Sequence, residues 1–266
     1  MNKIKIFLLL FPEILFILFI RDGSIRKGYR YDIMKKIGII GAMEVEVAQL
    51  KATMWQQRMV TRAKMNFLEG ILEDHSVVVV RSGIGKVNAA VCAQILKDEF
   101  NVDVIINTGI AGSLKSEINI GDVVISTDVV HHDMDATGFG YPAGQVPQME
   151  VFSFKADANL RKIAKEVCQR VNPDIQAFEG RIVSGDQFIC DRPTKDRLAE
   201  TFGGYCTEME GAAIAHTAYL NNIPFVIIRA ISDKADDSAN MDYETFEKMA
   251  VEHSVRLVCG FIRELD

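Results

Sequence analysis

Two stretches late in the chain carry the residue types that acid–base chemistry needs. Residues 207–216 read Thr-Glu-Met-Glu-Gly-Ala-Ala-Ile-Ala-His, and residues 224–237 read Pro-Phe-Val-Ile-Ile-Arg-Ala-Ile-Ser-Asp-Lys-Ala-Asp-Asp. Glu208 and Glu210 stand just before a small-residue run with helix-forming character, Gly211 to Ala215. Phe225 to Ile228 is an apolar, β-branched run that halts at Arg229 and leads to Ser232 and Asp233. Such a run reads as a buried strand of a mostly parallel sheet. Ligands of such sheets bind outside the carboxyl ends of the strands. Glu210, at a switch from strand to helix, and Asp233, just past a strand, are therefore expected to face one crevice. A third carboxylate, Glu46, opens the helix after the first strand of the main domain. Each also has an ordinary explanation. Glu44, Glu46 and Glu210 suit the dipole of a first helical turn, and Asp233 suits a turn that bonds its own backbone.

The elements that must hold these groups alternate along the chain. Ile37 to Ile40 is an apolar strand, and a helix follows to about Met54. Gly38 and Gly41 do not complete Gly-x-Gly-x-x-Gly, so a dinucleotide turn is not supported. Val77 to Val80 is a second strand, ending in Arg81-Ser82-Gly83-Ile84-Gly85-Lys86. Val80 stands where a phosphate loop needs its first Gly, and Val87 where it needs Ser or Thr. The stretch reads as a close-approach turn into a helix over 87–100. Val102 to Asn107 is a strand, with Thr108 to Gly112 a turn that brings bare backbone near a ligand. Gly121 to His132 is strand-like. Its His131-His132-Asp133 invites a metal, but neighbouring strand residues point to opposite faces, so no metal is expected there. Residues 134–150 form a long loop whose Phe139, Tyr141, Pro142 and Pro147 suit a lid or an interface. A helix over 157–171, a strand from Gly180 ending in the turn to Ile189, and helices over 194–202 and 243–264 complete an α/β pattern.

Composition excludes several classes. The net charge of −6 gives no footprint for nucleic acid. The five cysteines are far apart, with no Cys-x-x-Cys pair, and read as reduced thiols without a disulfide frame or zinc site. Residues 4–20 are nearly all apolar behind Lys3. Pro12-Glu13 interrupts the run, Arg21-Asp22 stands where a cleavage site belongs, and a span needs roughly 20 residues. The reading is that translation starts at Met34, with the globular domain over 34–266 and residues 1–33 an extension outside it. A short signal or anchor is the alternative, and membrane contact arises only if residues 6–20 are made and retained.

Six motifs then occur in order: Gly-Ala-Met-Glu-Val-Glu-Val from Gly41, Ser-Gly-Ile-Gly-Lys from Ser82, Ile-Ile-Asn-Thr-Gly from Ile105, Ser-Gly-Asp-Gln-Phe-Ile from Ser184, Glu-Met-Glu from Glu208, and Arg-Ala-Ile-Ser-Asp from Arg229. Together they resemble the bacterial 5'-methylthioadenosine/S-adenosylhomocysteine nucleosidases of the nucleoside phosphorylase superfamily, over residues 35 to 265. The resemblance implies a single α/β domain around a mixed, mostly parallel and partly barrel-like sheet flanked by helices. It implies a cytoplasmic homodimer that needs no cofactor. The implied reaction is hydrolysis of the adenine N9–ribose C1' bond of methylthioadenosine, S-adenosylhomocysteine and 5'-deoxyadenosine, within S-adenosylmethionine by-product recycling and methionine salvage.

Carried over by motif, Asp233 is the general acid toward adenine N7 and Glu46 activates the attacking water. Glu210 accepts from the ribose hydroxyls, and Met209 packs beside the sugar. Phe188 stacks on adenine while the backbone of Ile189 reads its edge. Ser232 and Arg229 support the site, Arg229 near the water and Glu46. Met43 belongs to the same substrate-contacting set. Ile84 and Tyr243 line the pocket for the 5' substituent, with Phe139 and Pro147 offered by a partner subunit. Ile110 departs from the family, in which a small hydroxyl residue is frequent at that place, so only a backbone contact is expected there. Two rivals are a purine nucleoside phosphorylase, which uses phosphate, and a tethered binding protein without catalysis. The intact mass of the native protein should correspond to a start at Met34. A mass that includes residues 1–33 would put the apolar stretch on the mature chain.

Overall fold

The computed structural model describes residues 5–11, 14–21, 24–32, 35–236 and 239–265, with the side chains of residues 35–236 and 245–265. The chain divides into two compact units, the second spanning Lys36–Leu265. The first holds three antiparallel strands in the order β1 (Lys5–Phe11), β2 (Ile14–Arg21), β3 (Ser24–Asp32). The apolar opening stretch thus lies in strands. Among the described residues no helix is long and apolar enough to cross a membrane.

The second unit is built on one mixed sheet. Its strands are β4 (Ile37–Gly41), β5 (Trp55–Arg62), β6 (Met65–Leu72), β7 (His75–Arg81), β8 (Val104–Ser113), β9 (Val123–His131), β10 (Phe154–Lys155), β11 (Ala177–Ser184), β12 (Cys206–Glu208) and β13 (Phe225–Asp233). Five of them close a ring: β8 pairs β12, β12 pairs β11, β11 pairs β9, β9 pairs β13, and β13 returns to β8. From β8 an open arm continues through β4, β7, β6 and β5. The sheet is therefore partly barrel-like, with parallel pairs at β4–β7, β4–β8, β8–β13, β9–β11 and β11–β12.

The central strands are apolar runs because both of their faces are covered. Every residue of β4, β8 and β13 is buried. On one face Ile105, Ala111, Phe225, Ile227 and Ile231 pack with α2 (Lys86–Phe100) and α5 (Gly211–Leu220). On the other, Val104, Ile106, Val226 and Ile228 pack with α1 (Glu44–Thr53), α3 (Ala158–Val171) and α6 (Ala239–Ile262). α4 (Arg192–Phe202) covers a smaller core with Val130 and Val183. The small residues of α5, Gly211 to Ala215, are all buried, which lets that helix lie close on the sheet.

The stretch Thr108 to Gly112 is not a turn. It continues β8, whose residues pair with β13 from Ile105↔Phe225 as far as Gly112↔Asp233. The glycines there serve close approach within a strand, and β13 likewise runs on through Arg229 to Asp233 itself. The hairpin β5–β6 carried no signal in the sequence. Its turn, and the turn from β6 to β7, use non-glycine residues at positive φ, Ala63 and Lys64 in one and Glu73 and Asp74 in the other. The ring closes tightly at Gly180, where the β9–β11 register shifts. A Cβ on Gly180 would run into the Tyr205 ring near its root. Gly180→Ala should therefore cost about 1–3 kcal/mol by overpacking. Urea unfolding measures this, and a change below about 0.5 kcal/mol would mean the ring closes with room to spare.

Candidate active site

A cavity of about 510 Å³ opens where β8 changes partners. On one edge β8 pairs β4 only as far as Asn107↔Ile40, and it meets β12 only from Gly112↔Thr207. Between those points the edge has no strand beside it. The gap is filled by the first turn of α1, which leads on from β4, and by the start of α5, which leads on from β12. These supply Glu46 and Glu210. From the other side Ser232 and Asp233 end β13, while Ile84 and Phe188 come from the loops after β7 and β11.

Glu46 takes the place of a missing strand. Its Oε1 accepts from the amide of Ile110 at 3.2 Å, a donor on the open edge of β8. Its Oε2 accepts from Ala42 at 2.6 Å and Met43 at 2.9 Å, which also caps α1. A Cβ on Gly109 would strike Glu46 Oε1 and come within 3.4 Å of Arg229 Nη1, so this glycine makes room for the carboxylate. Burial raises the Glu46 pKa from the ordinary carboxylate value. The charge of Arg229 and the three amides oppose the shift without cancelling it.

Beneath the cavity lies a buried ion pair that binds two of its walls together. Arg229, 1 % exposed, donates through Nη2 to Glu208 Oε2 at 2.5 Å and to Asn107 Oδ1 at 2.5 Å. Glu208 also accepts from the amides of Glu210 at 3.0 Å and Gly211 at 2.8 Å, and from the Ser184 hydroxyl. Burial alone would raise its pKa, but Arg229 and these donors hold it below the usual range. Glu208 is thus charged, and it sits two residues from Glu210. Burial first, and the charge of Glu208 second, push Glu210 up to about 8. The Glu210 Oε1 accepts from the Gly85 amide at 2.8 Å.

Asp233 is held in one orientation. Its Oδ1 accepts from the amide of Ala235 at 2.8 Å, and its Oδ2 from the Ser232 hydroxyl at 2.8 Å. Gly112 gives it space, because a Cβ there would lie 2.6 Å from Asp233 Oδ1.

Glu46, Asp233, Glu210, Met209, Met43, Ser232, Phe188, Ile84 and Ile110 all line the one cavity. The Ile110 side chain stands in place of any hydroxyl there, and its backbone amide donates to Glu46 Oε1 at 3.2 Å. Arg229 does not line the cavity, but it lies beside Glu46 with the space at Gly109 between them, and its ion pair is with Glu208. The Ile189 side chain packs into the small core beside Leu198 and Phe202 and not onto the cavity. Phe139, 88 % exposed, and Pro147 stand in the long loop, away from this chain's cavity lining. The Tyr243 side chain falls outside the described residues. His131 and His132 do diverge, His131 toward Phe154 and His216, His132 beneath Gly185. Sequence reasoning left Glu208, Asn107 and Ser184 out of the site. A Glu two residues before the Glu at a helix start was the available signal for the first.

The raised pKa of Glu210 has a measurable consequence in the ligand-free protein. A carboxyl that binds its proton more tightly when folded stabilises the fold at low pH. That stability is lost as pH rises from the unfolded value, 4.5, toward about 8. Glu210→Gln removes this titration while Glu46 stays in both proteins. The Tm of the unsubstituted protein should fall relative to Glu210→Gln between about pH 5 and pH 9. Parallel Tm profiles would show that Glu210 ionises normally.

Residues 36–263 match the Phosphorylase superfamily. The 5'-methylthioadenosine/S-adenosylhomocysteine nucleosidase of Staphylococcus aureus (strain JH9) is 47% identical over 230 residues, 86% of this chain and 100% of that protein. That of Exiguobacterium sp. is 44% identical over 232 residues, 87% of this chain and 99% of that protein. Among solved structures, the Neisseria meningitidis nucleosidase in complex with methylthio-immucillin-A superposes with a TM-score of 0.84 at 40% identity, covering 87% of this chain and 100% of that one. The chain belongs to the 5'-methylthioadenosine/S-adenosylhomocysteine nucleosidases of the phosphorylase superfamily.

Proposed function

We propose that this chain hydrolyses the adenine N9–ribose C1' bond of 5'-methylthioadenosine and S-adenosylhomocysteine, releasing adenine and a 5-thioribose. The observation that carries the choice of water is the cavity's charge. Its lining includes Glu46, Glu208, Glu210 and Asp233 and, among the described residues, no Lys or Arg. Phosphorolysis needs an anion site facing C1'. Here an incoming phosphate meets carboxylates instead, and the nearby Arg229 is occupied by Glu208.

Asp233 gives a proton to adenine N7, so the base leaves neutral. As the bond lengthens, the sugar takes up positive charge, and fixed carboxylates in a desolvated site stabilise that charge more than the neutral substrate. Glu210 accepts from the ribose hydroxyls. Glu46 accepts the proton of the attacking water, and the burial that raises its pKa makes it a stronger base than an exposed carboxylate. Phe188 covers the base, with Ile84 and Met209 beside the sugar and its 5' substituent. 5'-Deoxyadenosine keeps the adenine and the ribose hydroxyls and lacks only the group beyond C5', so it is a third substrate.

The same reading extends to context. The functional domain is 34–266, it works as a homodimer in the cytoplasm, and the exposed Phe139 with Pro147 closes the cavity of a second copy. It serves S-adenosylmethionine by-product recycling and methionine salvage. Product analysis tests the reaction: methylthioadenosine incubated with and without phosphate should give adenine and free methylthioribose in both cases. Methylthioribose-1-phosphate formed only with phosphate would move the chain to the phosphorylases, and no turnover would favour a binding protein. Asp233→Asn and Glu46→Gln should each lower kcat by about 10²–10⁴-fold while the far-ultraviolet circular dichroism is kept. Normal kcat in either would remove that residue's role.

A further inference from the structure

Two loops that wall the cavity meet the root of the long loop at a cluster no catalytic role requires. Lys86 opens α2, Asp133 comes after β9 at the root of the long loop, and Asp186 lies in the turn after β11. Lys86 Nζ donates to Asp133 Oδ1 at 2.6 Å. The other oxygen of Asp133 accepts from the Asp186 amide at 2.9 Å. Asp186 Oδ1 in turn accepts from the Lys86 amide at 2.8 Å. The three bonds form a closed triangle. Both side chains of its ion pair are mostly buried, at 21% and 19% exposure, so the pair is screened less than a surface one.

Two of the corners lead directly to cavity residues, and Asp133 joins them. One residue before Lys86, the Gly85 amide holds Glu210 Oε1, and Ile84 before that lines the cavity. Two residues after Asp186, Phe188 covers the opening at 47% exposure, so its place depends on the turn that carries it. The loops after β9 and β11 leave strands that are paired as far as His131↔Ser184, but the loop after β7 pairs with neither, so the triangle ties Lys86 and Gly85 to the other two. Burial would raise the Asp133 carboxyl, yet the bonds from Lys86 and the Asp186 amide hold it below the usual range, as a charged hub requires.

We propose that Lys86, Asp133 and Asp186 form a positioning latch that sets Phe188 against the base and the Gly85–Glu210 contact against the ribose. This rests on the nucleosidase reading for the identity of the ligand, though not for the latch. None of the three residues touches the reacting atoms. Breaking the latch therefore weakens the hold on substrate and transition state alike, and leaves the Glu46 and Asp233 chemistry in place.

The test uses the full chain and the variants Asp133→Asn, Lys86→Met and Lys86→Arg. Asp133→Asn and Lys86→Met should raise KM for methylthioadenosine about tenfold, with kcat changed less than about threefold, the pattern of lost uniform binding. Lys86→Arg should recover most of the affinity, and Lys86→Met with Asp133→Asn together should cost little more than either alone. Hydrogen exchange reads the latch without turnover. The peptide over 185–189 should lose protection in Asp133→Asn and in Lys86→Met, while peptides of β8 and β13 keep theirs. A KM within about twofold of the unsubstituted value, equal losses in kcat at constant KM, or unchanged exchange at 185–189 would each overturn the proposal. If the unsubstituted protein does not cleave methylthioadenosine, the nucleosidase reading fails, and the exchange result alone still decides the latch.

Discussion

The arrangement of the site depends on one charge that water does not reach. Arg229 stands in β13 with 1 % exposure, and an ion buried in that way costs several kcal/mol unless it is paired and fully bonded. Glu208 supplies the pairing, and Asn107 and the Ile228 carbonyl take up further donors, leaving only Nε without a partner. The pair ties β13 to β12, two strands of the ring that are not neighbours. Through the amides of Glu210 and Gly211 it also fixes where α5 begins. The negative charge kept on Glu208 then acts on Glu210, which shares its small volume and holds its proton more firmly as a result.

A second constraint is geometric. A strand that belongs to a ring and to an open arm at once must have a place where its partner changes. In β8 that place spans the backbone between Asn107 and Gly112, and buried backbone donors there still require acceptors. Glu46 meets the requirement at Ile110. A carboxylate is thereby drawn into the cavity by the needs of the sheet, and α1 gains its cap from the same side chain. Fold satisfaction thus places in the cavity the group proposed as the base, although a first-turn Glu also has an ordinary helix-dipole explanation.

Much of this was legible in the residues. The apolar runs at Ile37, Val77 and Phe225 report strands buried on both faces, and they emerged as β4, β7 and β13. Glu46, just after the first of these runs, and Asp233, at the end of the last, lie where strand ends put them. Other parts were not legible for physical reasons. Thr108 to Gly112 has the composition of a turn, and only its pairing with β13, a hundred and more residues away, makes it strand. The β5–β6–β7 meander turns on Ala63-Lys64 and Glu73-Asp74, of which only Asp favours positive φ and none is followed by Gly, so the usual Asn-Gly or Asp-Gly signal is missing. Arg229 looks like a site residue by its position in the motif. That it faces Glu208 under the floor is decided by burial and pairing, which depend on the assembled ring.

The cost of the site also gives it its selectivity for charge. Glu46 and Glu210 are buried where an unpaired carboxylate is unfavourable, and in the ligand-free protein both retain protons more strongly than exposed groups do. A neutral nucleoside relieves this only in part, through hydroxyl and amide donors. In the proposed reaction the sugar relieves it further as it becomes cationic and the bond to adenine breaks. Interactions that strengthen between ground state and transition state are those that raise kcat rather than merely tighten binding. Fixed carboxylates that are poorly solvated beforehand meet that condition, because no water has to be stripped from them when the charge develops. The same poor solvation turns away a phosphate dianion, which would add like charge to a volume already holding the ionised Glu208. Water is neutral and small, and can approach Glu46 without that penalty.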